Sequence, residues 1–125
     1  MITVQGVLKI EPDKIYVEVD PGIVSLCRAL IPPARRPRPQ RYPPHISVVR
    51  NELFCPPLGA LERVIWFTYD PAVVEGEVYW WLRCWSLDLT VLRLSLDLPA
   101  SSEWSRPPGN EDCFHITVGN TKGLT

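Results

Sequence analysis

The sequence predicts an α+β domain dominated by antiparallel sheet, and three observations favour this fold class. The chain has 125 residues, which suits one compact domain over residues 1–125. Its apolar fraction of 46% is sufficient for an ordinary core and argues against disorder. Several short β-branched segments are separated by turn residues, whereas few segments show a helical pattern. The expected order is β-β-α, a basic loop, several strands, a polar loop and a last strand.

The N-terminal part is predicted to form two strands and a helix. The segments "VQGVLKI" and "KIYVEVD" predict neighbouring strands near 2–10 and 14–19. In "DPGIVSLCRALIPP", Asp20 is the expected N-cap and Pro21 suits the first helical position. Apolar residues then recur at helical spacing until two prolines interrupt the pattern. A helix near 21–30, packed on the sheet, is therefore expected.

A proline- and arginine-rich loop follows this helix. Residues 31–44, "IPPARRPRPQRYPP", contain six prolines and four arginines. Extended, polyproline-like chain is expected here because proline cannot continue a helix or a sheet ladder. Three interpretations remain open: a solvated connector, an arginine-bearing loop beside a phosphate site, and a docking peptide for another domain.

Most of the remaining chain is predicted to form strands. The first two are expected near 45–50 and 63–69, with "LGALERV" between them as a helical turn. Two longer strands are expected near 76–85 and 88–98, and alternate leucines of the second would share one face. A polar, turn-rich loop at 100–112 precedes the last strand, "CFHITVG".

Composition restricts the class of partner and the expected compartment. A formal net charge of −1 provides no global basic field for a long nucleic acid, although local arginines can still bind a small phosphorylated ligand. The four cysteines include no close pair, so buried, reduced thiols are expected rather than a zinc site. The N-terminal segment lacks an export pattern, and no run reaches the roughly 18 apolar residues of a membrane span. A cytoplasmic protein with no membrane partner is expected.

The chain contains two histidines, and both begin the same four-residue frame. The frames are "HISV", which begins at His45, and "HITV", which begins at His115. A given histidine should be followed by such an aliphatic, hydroxyl, aliphatic pattern only about 1% of the time by chance. On a strand, His45 and Ser47 would share one face, and His115 and Thr117 would do the same. Each frame can bury its aliphatic pair and present an imidazole with a hydroxyl on the opposite face.

Paired imidazoles and hydroxyls suit acid–base chemistry at phosphorus. A neutral imidazole can accept a proton from the attacking oxygen while a protonated one donates a proton to the leaving oxygen. The two hydroxyls can bind the nonbridging phosphate oxygens. This chemistry requires no metal and no other cofactor. Two other interpretations stay open: unrelated surface histidines bound to neighbouring hydroxyls, and a metal site that distant residues complete.

In these two frames the chain resembles the two-histidine (2H) phosphoesterase superfamily. The resemblance rests on about eight residues, with their order and spacing. It implies an α+β fold of mostly antiparallel sheets in two pseudo-symmetric lobes, with one motif from each lobe facing a central cleft. It also implies that His45 and His115 are the general base and acid, in either order. Ser47 and Thr117 would bind phosphate oxygens, and the serine departs from the threonine of many members.

The resemblance also implies a substrate class. Members of the superfamily include RNA 2′,3′-cyclic phosphodiesterases and phage enzymes that destroy cyclic oligonucleotide alarm signals. The short chain with little helix is more similar to the phage anti-CBASS enzymes. We therefore expect a metal-independent phosphodiesterase that cleaves cyclic di- or trinucleotides through 2′-hydroxyl attack, and a neutral charge favours such a small substrate. The alternatives are an RNA 2′,3′-cyclic phosphodiesterase and a non-catalytic nucleotide sponge or peptide-docking module.

Five further residues are candidates for substrate binding. Trp104 lies in the polar loop before the second frame, where it could stack on a nucleobase or simply fix the loop to the domain. Arg41 and Tyr42 precede the first frame, Arg50 follows its strand, and Lys122 follows the second frame. Each of these four could orient phosphate or base, or could be a solvated side chain near a strand end.

Overall fold

The structure is a computed structural model that describes residues 1–57, 63–100 and 113–122. In these residues it contains strands β1 to β7 and helices α1 and α2. In chain order they are β1 Ile2–Ile10, β2 Ile15–Glu18, α1 Pro21–Ala29, β3 His45–Val49, β4 Arg63–Tyr69, β5 Val74–Glu75, β6 Tyr79–Trp85, α2 Leu87–Ser95 and β7 Phe114–Asn120.

Six of the strands form a closed antiparallel barrel. Hydrogen-bonded neighbours follow the order β4-β1-β2-β3-β7-β6, and β6 pairs back with β4. The short β5 pairs with the first half of β6, at Trp80 and Trp81. Closure pairs strand edges that an open sheet would leave exposed.

The predicted division into two pseudo-symmetric lobes around a cleft is wrong. The strands of the two histidine frames, β3 and β7, pair directly at Ile46 and Ile116. The β4–β6 pairing then joins the early strands to the late ones, at Thr68 with Trp85. Because both connections are made within one sheet, the two halves form a single barrel around a common core.

The barrel interior is filled by every second side chain of the strands, and these side chains are aliphatic or aromatic. Fully buried members include Leu8, Ile15, Val17, Ile46, Val48, Leu82, Ile116 and Val118. The interior is narrow at Gly6, where an added Cβ would lie 2.5 Å from Cγ1 of Val17. Interiors this tightly packed have no room for such an atom, so the position requires glycine.

Helix α1 forms as the sequence predicts. The carboxylate of Asp20 accepts a hydrogen bond from the backbone N–H of Gly22 at 2.9 Å, and Pro21 opens the helix. Cys27 is buried in the core, and the helix packs against β7. The proline-rich loop supplies hydrogen-bond donors to its C-terminal end: Arg36 donates to the carbonyls of Ala29 and Ile31.

The segment predicted as a strand over 88–98 is instead helix α2. The hydroxyl of Ser86 accepts from the backbone N–H of Leu89 at 3.3 Å, which caps the helix. Leu89 and Leu92 are buried at a helical spacing of three, whereas Leu94 is exposed. Leucine at every second position from 92 to 98 imitates a strand, but the cap and the packing favour the helix.

A buried arginine joins α2 to the end of β3. Arg93 is 0% exposed and donates to the carboxylate of Glu52 at 2.8 and 2.9 Å. It also donates to the backbone carbonyls of Val48 and Pro99, each at 2.7 Å. A buried charge is tolerable only when it is paired and hydrogen-bonded in this way, so the arginine fixes the helix on the barrel.

The remaining predictions have mixed outcomes. The strands near 2–10, 14–19, 45–50 and 63–69 form with small shifts of their ends, whereas the one expected from residue 76 begins at Tyr79. Residues 58–62 of "LGALERV" and residues 101–112 of the polar loop lie outside the described residues.

The cysteines are mostly buried. Cys27, Cys84 and Cys113 are buried and Cys55 is exposed. Burial raises the pKa of the Cys84 thiol well above its ordinary value, and the charge of Cys113 raises it further. Cys84 therefore remains a protonated thiol at neutral pH.

Neither helix in the described part of the chain has the length and apolar character needed to cross a membrane.

Candidate active site

The barrel register brings the two histidine frames side by side. β3 and β7 are antiparallel, and Ile46 lies opposite Ile116. Both isoleucines point into the barrel and are fully buried. Because side chains alternate along a strand, the residues on either side of each isoleucine point outward. The imidazoles and hydroxyls of both frames therefore share one outer face.

On this face the four side chains occupy the corners of a rectangle. The antiparallel register sets His45 opposite Thr117, and Ser47 opposite His115. Directly opposite Cβ atoms lie about 4.5–5.5 Å apart, and the diagonal between His45 and His115 is about 7–8 Å. Two imidazoles at this separation can reach a single phosphate from two sides, with a hydroxyl next to each. We call these four residues the histidine rectangle.

The segment just before β3 fixes the position of His45. Its Nδ1 lies 3.0 Å from the backbone carbonyl oxygen of Pro43. A carbonyl can only accept, so Nδ1 carries the hydrogen and Nε2 is the nitrogen left free of this contact. The edge of the Tyr16 ring approaches the imidazole with centroids 6.2 Å apart. Glu18 lies opposite His45 on β2, so this corner also faces a carboxylate.

An arginine lies next to the other histidine. Arg83 is directly opposite His115 in the β6–β7 register. Its Nη2 donates to the carboxylate of Asp70 at 3.0 Å. The pKa of Asp70 is held below its ordinary value, first by the backbone N–H of Ala72 and then by Arg83. The ionised carboxylate orients a guanidinium that can bind a phosphate oxygen beside His115.

The other predicted substrate-binding residues fall at different places. Arg41 and Tyr42 are exposed in the segment that leads to β3, close to the His45 end of the rectangle. Lys122 follows β7 at the same end of the barrel, with Nζ 4.9 Å from the centroid of the Tyr79 ring. Arg50 is exposed but follows β3, at the opposite end of that strand. Three of these residues thus lie at the His45 end of the barrel, and the fourth lies at the other end of β3.

Trp104, the remaining predicted base-stacking residue, lies outside the described residues.

The basic loop uses two of its arginines for structural contacts. Arg36 binds carbonyls at the end of α1, and Arg35 forms an ion pair with Glu75 at 2.6 Å. The loop is attached to β7 by mutual backbone hydrogen bonds between Arg38 and Asn120, at 2.8 and 2.9 Å. Gly119 permits this attachment, since an added Cβ would lie 2.5 Å from the carbonyl oxygen of Arg38. The loop is therefore an anchored connector near the start of β3.

Sequence reasoning missed the neighbours that the register supplies. Arg83 and Asp70 on the His115 side, and Tyr16 and Glu18 on the His45 side, were not candidates. Their positions depend on which strands pair and in what register, and neither is written in a local pattern. The signal that could have suggested Arg83 is its place as a lone basic residue in the apolar run "YWWLRCW".

Comparisons with protein-family models, with curated proteins and with solved structures find no match to this chain. Among residues 1–57, 63–100 and 113–122, no group of three or more His, Cys, Asp or Glu side chains is arranged to hold a metal ion.

Proposed function

We propose that this chain is a phosphodiesterase that cleaves small cyclic oligonucleotides by two-histidine acid–base catalysis. The observation that carries the proposal is the histidine rectangle, in which β3 and β7 present two imidazoles and two hydroxyls on one outer face. The frames "HISV" and "HITV" lend further support through their resemblance to the two-histidine phosphoesterases. The cyclic oligonucleotide, and a role for a phage enzyme against bacterial immune signalling, are supported by that resemblance and by the nearly neutral net charge.

The proposed reaction is transfer within the substrate followed by release of an alcohol. One imidazole removes the proton of a ribose 2′-hydroxyl, and the 2′-oxygen forms a new bond to the neighbouring phosphorus. The bond from phosphorus to the 5′-oxygen breaks, and the second imidazole gives its proton to that oxygen. The products of this step are a 2′,3′-cyclic phosphate and a free 5′-hydroxyl. Protons balance because one histidine gains the proton of the 2′-hydroxyl while the other gives a proton to the 5′-oxygen.

The geometry suits this in-line displacement. Attacking and leaving oxygens lie on opposite sides of phosphorus, and the two histidines lie on a diagonal of the rectangle. Nε2 of His45 exchanges the proton, because Nδ1 is held by Pro43. Ser47, Thr117 and Arg83 then bind the nonbridging oxygens, where negative charge grows in the transition state. Two imidazoles supply both proton transfers, so the mechanism requires no metal.

The test is a substrate panel in the presence of excess EDTA. The purified chain is incubated with cyclic dinucleotides, cyclic trinucleotides and RNA that ends in a 2′,3′-cyclic phosphate, and the products are resolved by mass. Cleavage of a cyclic oligonucleotide that persists in EDTA is expected. Activity only on the RNA end would show that the enzyme is an RNA 2′,3′-cyclic phosphodiesterase instead. Complete loss of cleavage in EDTA, restored by a divalent ion, would overturn the metal-free mechanism.

A further inference from the structure

A pocket of about 300 Å³ lies on the outer surface where β1, β4, β6 and the start of α2 meet. Its lining includes Thr3, Trp66, Thr68, Trp85 and Asp88. Small-molecule pockets begin at about this volume, so the space is adequate for one planar ring system and too small for a folded peptide. None of these residues was a candidate from the sequence.

The walls of the pocket are aromatic and partly solvent-exposed. Trp66 is 55% exposed, and Trp85 is partly buried. The guanidinium carbon of Arg83 lies 5.9 Å from the centroid of the Trp85 ring. Exposed indole rings on a rigid sheet are the side chains on which nucleobases stack, because every base has a π-face.

Hydrogen bonds hold this pocket in shape. The Ser86 hydroxyl donates to the carbonyl of Trp66 at 2.7 Å, and the Asp88 carboxylate accepts from the backbone N–H of Trp66 at 3.3 Å. The hydroxyls of Thr3 and Thr68 are 2.8 Å apart on the neighbouring strands. The pocket is thus formed before any ligand binds, which reduces the entropic cost of binding.

Strand β6 connects the histidine rectangle to the pocket, because it pairs with β7 and supplies Trp85 to the pocket wall. Arg83 lies opposite His115, and Trp85 is two residues further along β6 on the same face. Two residues of a strand span about 7 Å, a distance that one ribose can bridge between a phosphate and its base. A phosphate that Arg83 binds beside His115 would therefore have its nucleobase over Trp85, at the edge of the pocket.

We infer that this pocket is the nucleobase site of the enzyme, with the base stacked on Trp85 and Trp66. The position of the phosphate in this inference rests on the proposed function. Asp88 adds selectivity, because a carboxylate accepts hydrogen bonds from the amino groups of adenine, guanine and cytosine, whereas uracil has no amino group. The favoured substrates are cyclic oligonucleotides that contain an amino-bearing base.

The first test measures binding without cleavage. Cyclic di-AMP is titrated by calorimetry into the His45→Ala/His115→Ala protein, with Trp66→Ala or Trp85→Ala added. Loss of one stacking ring should weaken binding about 5- to 150-fold, as base stacking contributes about 1–3 kcal/mol. Trp85→Phe should recover most of the affinity because it keeps a ring. Val64→Ala is the matched control, since Val64 is exposed on β4 as Trp66 is but does not line the pocket.

The second test measures base selection. In the same catalytically inactive background, cyclic di-AMP should bind more tightly than cyclic di-UMP. Asp88→Asn should reduce that preference, because the amide keeps an acceptor for the Trp66 N–H but exchanges one acceptor for a donor. If the protein that keeps Asp88 bound cyclic di-AMP and cyclic di-UMP equally, the proposed selectivity for amino-bearing bases would be contradicted.

The outcomes separate this inference from the proposed function. If cyclic dinucleotides are cleaved while both Trp→Ala variants bind cyclic di-AMP as the parent does, the base site is wrong and the function stands. If no nucleotide is cleaved but adenosine monophosphate binds and Trp85→Ala removes that binding, the base site stands and the function is wrong. Failure of both cyclic di-AMP and adenosine monophosphate to bind would overturn the inference.

Discussion

The inner and outer faces of strands β3 and β7 differ in burial and in chemistry. On the inner face, Ile46 and Ile116 are 0% exposed and lie opposite each other in the core. On the outer face, the neighbouring residues of the same frames carry imidazoles and hydroxyls that are partly exposed. The core of the barrel thus serves as the rigid base of the candidate site.

This arrangement teaches that stability and chemistry can be separated residue by residue. Many sites are carried on loops, where a mutation changes position and flexibility together. Here a side chain that points outward can be removed with little loss of packing, and one that points inward can be trimmed with little direct loss of chemistry. Substitutions on the two faces should therefore give opposite patterns of rate and stability.

The largest expected effect is on rate, from the outer face. His45→Ala and His115→Ala should each reduce kcat/KM for a cyclic dinucleotide by about 10²–10⁴-fold, the usual contribution of a general acid or base. The double variant should lose less than the product of the two single losses, because the pair acts as a unit. Rates are measured by product mass, and thermal unfolding should be nearly unchanged.

The control for the histidine variants is Ser25→Ala, on the exposed surface of α1. It should keep the full rate. Parent-like cleavage by both histidine variants would show that the rectangle is not the catalytic site.

The second effect is on stability, from the inner face. Ile116→Ala should reduce the free energy of unfolding by about 2–5 kcal/mol, because it removes buried methyl groups and leaves a cavity. Ile116→Val should cost about 0.5–1.5 kcal/mol and serves as the graded variant that remains folded. Urea titration measures both, and kcat/KM of the folded fraction should change far less than in the histidine variants. A valine variant that is stable yet inactive would contradict the division between the faces.

The sequence predicted the parts of this comparison that depend on local pattern. Alternation within "HISV" and "HITV" separates the inward residues from the outward ones, and Asp20 with Pro21 marks the start of α1. Barrel closure could not be predicted, because the β4–β6 pairing joins residues far apart in the chain. The same limit hid Arg83, whose place beside His115 is a consequence of register alone. For α2, alternate leucines suggested a strand where Ser86 caps a helix.

The next effect distinguishes the two histidines from each other. A substrate whose leaving group is p-nitrophenolate, such as adenosine 3′-(p-nitrophenyl phosphate), departs without protonation. The variant that lacks the general acid should therefore recover about 10²-fold or more on this substrate, relative to the cyclic dinucleotide, while the variant that lacks the base should remain impaired. The ratio of kcat/KM values assigns the roles of His45 and His115. Equal recovery of both variants would contradict a division into acid and base.

The smallest expected effect separates the hydroxyl of Thr117 from its shape. Thr117→Val keeps the branched side chain but removes the hydroxyl, so it should reduce kcat by up to about 10²-fold if that hydroxyl binds a phosphate oxygen. Thr117→Ser keeps the hydroxyl and should change kcat little, as the natural Ser47 at the equivalent position of the first frame suggests. A purely structural role for Thr117 predicts the reverse order, because valine preserves the packing of a strand and serine does not. Steady-state kinetics with the two variants, alongside their urea midpoints, therefore decides whether the outer face contributes its hydroxyls to the reaction or only its imidazoles.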